Sequence, residues 1–417
     1  MFFSLFAKEC RQILKSIVFY VYIVVLVLFY ITQLGDFSTL SKPQPGQESY
    51  GTKPSSDPQK IMDTTLGKLV MEAYDGNYTT YPVGFYKKVR LNEKDQAEVE
   101  RIIEKVSGRE WKDIKEEIER FYDEMSTQNA PIMAGIDTPE VHPAKDLTYQ
   151  EFLPMMERVN TILGGGSSYS ADSVPGNAFD EMTYEEAQKE YEAVLSKDGV
   201  IGAYARLFCD YICLMAGILP VFLAVARSMK DRKAKTAEVI YARRTSSAGV
   251  ILSRYLANVV MGMLPIALLG LSMHLQCLFY GSSLGVPLDN LAFVKYILGW
   301  IFPSFLTALS VGFLVTEMTG GPLAVLVQGL WWWVSTMTGS MSLVGGFGLE
   351  LSPRWNTCGK TEVFFEQLSG LVVNRAFYLG LSAVLLAGTI LVYKLKRRGV
   401  WHFHGSIRRN RKSKSEA

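Results

Sequence analysis

The side chains that ordinarily carry chemistry are sparse and scattered. The four histidines, His142, His274, His402 and His404, include no pair at zinc-ligand spacing beside a cysteine or a helix carboxylate. Five cysteines are too few for a disulfide framework, and residues 35–202 contain none. Gly359-Lys360-Thr361 ends like a phosphate-binding loop, G-x-x-x-x-G-K-[ST], but the position of its first glycine holds Arg354. Leu368-Ser369-Gly370 echoes an ATPase signature and lacks the rest of it. Gly164-Gly165-Gly166-Ser167-Ser168 has no strand before it and no lysine after it, so it reads as a flexible connection. Neither a G-x-S-x-G elbow nor an H-E-x-x-H helix occurs. The carboxylates lack calcium-loop spacing and read as a solvated acidic face. This chain is therefore expected not to be an enzyme, and no metal or cofactor is expected in it.

Two groups of residues invite a role other than catalysis. Trp331, Trp332 and Trp333 stand mid-way along an apolar tract, whereas tryptophan favours membrane–water interfaces. Three consecutive helical positions cover about 200°, so at least one should face protein or a cavity. Helix packing is one reading; lining a substrate path is the other. The second group lies in 227–247, where seven Lys/Arg accompany Asp231 and Glu238. Such a segment suits anionic lipid head groups. Val239, Ile240 and Tyr241 add an apolar patch that a protein groove could bury, and Glu238 and the flanking arginines offer polar pairs.

The elements that position these residues are predicted to be membrane helices. Apolar tracts occupy Ile17–Leu34, Tyr204–Ala226, Leu256–Phe279, Phe293–Val315, Pro322–Val344 and Leu371–Tyr393. No small-x-small cleavage site follows the first, since Gly35-Asp36-Phe37 does not supply one, so it is expected to be an uncleaved anchor. Pro220, Pro265 and Pro303 fall inside three tracts and predict kinks that neighbouring helices can satisfy. Among the charges near the tracts, Arg206 and Asp210 have i,i+4 spacing and predict an ion pair on one helix face. Arg254, Lys295 and Arg375 are expected to snorkel, and Glu317 to sit in a short turn, 317–321.

Charge orients the tracts. Over the whole chain the net charge is +2, but residues 35–202 hold 31 Asp/Glu against 18 Lys/Arg, and the remainder 10 against 25. Residues 1–16, 227–247 and the tail from Lys394 are all basic, while loops 281–291 and 346–371 each carry one net negative charge. Positive segments stay cytoplasmic, and six spans place both termini and 227–247 inside together. The expected fold is thus an all-α membrane protein with six transmembrane helices and a large, mainly helical extracellular domain between the first and second. In segments, this gives an amphipathic 1–16, a first span 17–34, an extracellular 35–202, spans two to six in 203–393, and a basic cytoplasmic tail 394–417. The extracellular block opens with a linker, 38–58, rich in Pro, Gly, Ser and Gln. Helices then follow on a stripe of Val99, Ile102, Ile103 and Val106, around Trp111–Met125, after a Thr148/Glu151 capping box, and from Thr183 with a break near Gly199.

A family resemblance rests on two of these segments. The first is Phe6-Ala7-Lys8-Glu9-Cys10-Arg11-Gln12-Ile13-Leu14, before the first span. The second, just after the second span, contains Asp231-Arg232, then Thr236-Ala237-Glu238, then Val239-Ile240-Tyr241, then Arg243-Arg244. With the large external insertion between them, they resemble the membrane subunit of a type-two ATP-binding cassette transporter, the exporter-like permease family. Lys235 stands where that family usually has glycine, and the usual proline near Arg244 is absent.

The resemblance implies two six-span permeases, identical or merely related, above two ATPase subunits that carry ATP and magnesium. It implies that 235–242 forms a short helix docked on the ATPase, and that hydrolysis reaches the substrate path as a rigid-body shift. Partners are then an ATPase, a second permease and the lipid of the plasma membrane, with no nucleic acid. An amphiphile such as an antimicrobial peptide, a lipid-like molecule or a drug would be exported or extracted. A sodium-extruding permease of the same family is an alternative, although no carboxylate is stranded at mid-membrane. A membrane sensor with an extracellular ligand domain is another; it would carry a sizeable cytoplasmic module, and about 24 residues follow the last tract.

Overall fold

The computed structural model describes residues 2–35, 40–82, 86–127, 141–233, 240–241, 245–339, 345 and 347–400. They form a mainly helical protein of two compact units, one of residues 42–189 and the other of residues 1–41 with 190–417.

In the 42–189 unit, strands β1 (Thr52–Pro54) and β4 (Phe179–Glu181) pair antiparallel, as do β2 (Tyr78–Thr80) and β3 (Lys87–Val89). Thus the expected linker 38–58 contains a strand, which its composition concealed. Helix α3 (Pro58–Asp75) starts where the Asp57 side chain accepts the Gln59 amide, and ends at Gly76 in the left-handed region. Asn92 and Gly108 cap α4 (Glu93–Ser107) in the same way. Its predicted stripe is buried at Val99, Ile103 and Val106. In α5 (Trp111–Thr127), Ile114 and Ile118 point into the same core. The Thr148/Glu151 capping box is present and opens α6 (Tyr149–Ile162).

The glycine run differs from the flexible connection expected. Gly164, Gly165 and Gly166 all have positive φ, a sequence of conformations open only to glycine. A Cβ on Gly166 would lie 2.8 Å from the Tyr81 carbonyl carbon. Asn160 Oδ1 then accepts hydrogen bonds from the Ser167 amide and hydroxyl. The run is a built turn.

In the other unit, α1 (Phe2–Leu14) precedes α2 (Ile17–Leu34). Helix α7 (Tyr184–Ala193), whose first six residues belong to the 42–189 unit, leads through a π-helical turn, Val194–Asp198, into α8 (Gly199–Ala216) and α9 (Pro220–Lys233). The predicted break is that turn, and Gly199 has φ 67°. Then come α10 (Ser247–Ser283), α11 (Ala292–Tyr296) with a π-helical turn Ile297–Ile301, α12 (Phe302–Thr319), α13 (Leu323–Gly339) and α14 (Thr361–Arg397).

Among the described residues, five helical runs are long and apolar enough to cross a membrane: Ile17–Leu34, Tyr184–Asp231, Ser247–Ser283, Ala292–Thr319 and Thr361–Arg397. The sixth tract yields the shorter α13, whose 17 residues reach about 25 Å, less than a hydrocarbon core of about 30 Å. Its predicted remainder, 340–344, lies outside the described residues.

Helix α12 is central and packs on α9, α13 and α14. Gly312 permits the approach to α9, since a Cβ there would come within 2.5 Å of the Ala224 Cβ. Pro220 and Pro303 stand at joints within the helical runs Tyr184–Asp231 and Ala292–Thr319, Pro220 opening α9 and Pro303 lying in the first turn of α12, directly after the π-helical turn. Pro265 lies within α10.

Candidate functional site

Two polar clusters are buried in the apolar unit, towards opposite ends of α14. The first gathers side chains from three helices. Glu9 of α1 accepts from Arg227 of α9 through both carboxylate oxygens, the Nη2–Oε1 contact being 2.7 Å. Arg227 Nη1 also donates to Asp231 Oδ1, one turn on, at 3.1 Å. Arg254 of α10 pairs with Asp231 and lies 3.6 Å from Glu9. Its guanidinium stands 5.9 Å from the centre of the Tyr393 ring on α14. Two carboxylates and two arginines neutralise one another, which is what allows Glu9, Arg227 and Arg254 to be buried.

This cluster brings together the two segments that carry the family resemblance. Of the residues predicted to contact an ATPase, Asp231 is in the cluster, and Arg232 lies on the same helix α9. Tyr241 packs edge-on against Tyr393, with centroids 5.5 Å apart, and its carbonyl accepts from Arg397 Nε at 2.9 Å. Ile240 is half-buried beside it. Thr236, Glu238, Val239, Arg243 and Arg244 lie outside the described residues, as does most of the expected helix 235–242. Arg254 does not snorkel: it is 5 % exposed and belongs to the cluster. Glu317, in the last turn of α12, pairs with Lys396 at 3.2 Å.

The second cluster fixes the chain that returns from α13 to α14. Arg206 and Asp210 share a helix face but do not pair. Arg206 forms an ion pair with Asp198 at 2.6 Å, whereas Asp210 receives a two-pronged contact from Arg354, at 2.8 and 3.1 Å, and the Trp355 amide at 2.5 Å. The planar guanidinium fork of Arg354 matches the carboxylate better than a one-turn neighbour can. Arg206 instead lies 4.5 Å over the Phe364 ring and donates to the Cys358 carbonyl. Arg375 was expected to snorkel and is buried. It donates to the carbonyls of Trp300, Glu350 and Leu351 and to the Ser304 hydroxyl. Asn374 donates to the carbonyls of Phe347 and Gly348 and shares that of Glu350. Irregular backbone inside an apolar assembly needs such donors. Burial raises the Glu350 carboxyl to about 8, against the opposing pull of Arg354 and Arg375.

Sequence reasoning missed Asp198, Arg354, Asn374 and Glu350 as members of this cluster. The available signal was Arg375 itself, since a cation four residues inside an apolar tract needs acceptors. Lys295 does remain at the surface, paired with Asp289 at 2.8 Å.

A cavity of about 560 Å³ adjoins this second cluster. Leu298 and Gly299 line one side and Phe365, Leu368, Val372 and Leu379 of α14 the other. Trp331, Trp332 and Trp333 do not line it, whereas Trp300 does. Trp332 donates Nε1–H to the Leu214 carbonyl at 2.8 Å, and Trp331 packs against Tyr378. Trp333 is 47 % exposed. Thus two of the three face protein, as the helix geometry requires. No protein-family model, curated protein or solved structure matches this chain.

Proposed function

We propose that this chain is the permease subunit of a type-two ATP-binding cassette transporter, which moves or extracts an amphiphile with ATP hydrolysed on a separate subunit. The observation that supports the reading is the Glu9–Arg227–Asp231–Arg254 cluster. It ties the amphipathic N-terminal helix to the helices on either side of 234–244, the segment that would meet the ATPase. A shift imposed on that segment would reach α1, α9 and α10 together, because breaking such a buried pair costs about 3–5 kcal/mol. The charge distribution supports the accompanying topology: six spans, both termini cytoplasmic, the 35–202 block outside the plasma membrane, and 227–247 inside. A second permease, identical or related, would complete the transporter.

Copurification tests this reading. Detergent extraction of the tagged chain from its native membrane should bring down an ATP-hydrolysing subunit in a fixed ratio. A chain purified without one, at a yield that preserves its fold, rejects the assignment.

A further inference from the structure

The 560 Å³ cavity has the size of a small-molecule site, within the range of about 300–1,000 Å³ typical of ligand pockets. Its shape is set by one helical stripe. Phe365, Leu368, Val372 and Leu379 recur on one face of α14 and extend roughly 20 Å along it. Leu298, Val372 and Leu379 are 54, 58 and 41 % exposed, so the groove opens sideways onto the surface that would meet lipid.

The exposed charges of the groove belong to two ion pairs. Lys197 pairs with Glu362 and Lys295 with Asp289, both at 2.8 Å and both well exposed. Asp198 and Arg375 also border the cavity, but each is buried and engaged by its own neighbours. The charges open to a ligand are therefore two neutral pairs. Exposed pairs of this kind are worth about 0–1 kcal/mol, so a ligand can exchange into them at small cost.

We infer that this groove binds a single-chain zwitterionic amphiphile, with its acyl chain along Phe365–Leu379 and its phosphate and ammonium groups exchanged into the Lys295–Asp289 and Lys197–Glu362 pairs. A slot one helical stripe wide takes one chain, and a rim of balanced pairs matches a head group that carries both charges. This deepens the transport reading by naming a substrate class, and it rests on that reading for the placement of the two ion pairs at the outer membrane face.

Photolabelling of the detergent-purified chain with a diazirine-bearing lysophosphatidylcholine tests it without any ATPase. Labelling should be saturable and should fall on 292–299 and 365–379. Gly299→Leu is the informative variant. A Cβ at Gly299 meets nothing within 4 Å, so leucine enters the groove without a clash that would threaten folding. It should weaken labelling about tenfold, the contact of roughly two buried methylenes. Lys295→Glu should weaken it by at most about fivefold, and Asp289→Lys in the same chain should restore it. Uniform labelling over the exposed face of α10, or indifference to Gly299→Leu, overturns the site. Equal competition by two-chain phosphatidylcholine, or stronger competition by lysophosphatidylglycerol, overturns the single-chain zwitterionic assignment. Because the assay uses the chain alone, an empty groove leaves the copurification result intact. A filled groove in a chain that recruits no ATPase removes transport and keeps the site.

Discussion

The two buried polar clusters use arginine in different ways. Around Arg227 and Arg254, the acceptors are carboxylates carried on separate helices, α1 and α9. Around Arg375, the acceptors are uncharged and include three backbone carbonyls, that of Trp300 before α12 and those of Glu350 and Leu351 in the chain between α13 and α14. Carboxylates offer several lone pairs to an arginine fork, so helices joined by them can shift and re-pair. Carbonyls of a folded-back loop have one arrangement, and losing their donor leaves buried backbone unsatisfied. The first cluster thus suits an end that moves, and the second an end that holds its shape beside the groove. In the proposed transporter these are the ATPase-facing and outward-facing ends.

The largest effect is expected where the clamp is removed. Arg375→Leu leaves the carbonyls of Trp300, Glu350 and Leu351 without this donor and should cost about 3–5 kcal/mol. Thermal unfolding in detergent would show it as a large drop in midpoint. An unchanged midpoint would mean that the loop is held by other contacts and would erase the contrast between the clusters.

Glu9→Gln comes next. It removes a carboxylate facing Arg227 and Arg254 but leaves Asp231, so about 2–3 kcal/mol is expected. The sharper outcome is functional: the chain should still fold and insert while transport falls. A double-mutant cycle of Glu9→Gln with Arg227→Gln should show strong coupling, and simple additivity would contradict a shared network.

Glu350 gives a pH signature confined to the rigid end. Its carboxyl is held up at about 8, so the folded chain keeps a proton that the unfolded chain releases nearer 4.5. Stability should therefore fall as pH rises from about 5 towards 8 and level off above it. The charged groups that face it are Arg354, Arg375 and Asp210. Glu350→Gln should flatten that slope, and a slope that survives the substitution must arise elsewhere. The smallest effect is expected at the groove's rim, where Lys197→Met should change stability by no more than about 1 kcal/mol, because its pair with Glu362 is exposed on both sides.

Much of this architecture is legible in apolar length and helix caps, because those are local. The tracts, the Thr148/Glu151 box and the break near Gly199 depend on residues within a turn or two. The clusters are not local. Arg206 and Asp210 look like partners at i,i+4, yet their acceptors and donors come from 198 and 354–361. Likewise, nothing near Glu9 in sequence announces Arg227. Burial in an apolar assembly rewards whichever opposite charge the fold delivers, at any separation. The resemblance motifs gave only an indirect hint, since both contain the carboxylates that meet at this cluster. The short β1 and β4 pairing escaped for the same reason, being joined across more than 120 residues.

In the proposed transporter, the end built from Glu9, Arg227, Asp231 and Arg254 receives the ATPase through the adjoining 234–244. Substrate-stimulated ATP hydrolysis by the reconstituted complex tests it most directly, with Glu238→Arg and Val239→Asp compared with the native chain. Both variants should insert normally, lose the stimulation and lose transport, since each places a charge where a docked helix needs the opposite sign or an apolar contact. Native stimulation and transport in both variants would contradict it, and would leave 227–247 as a basic surface resting on lipid head groups.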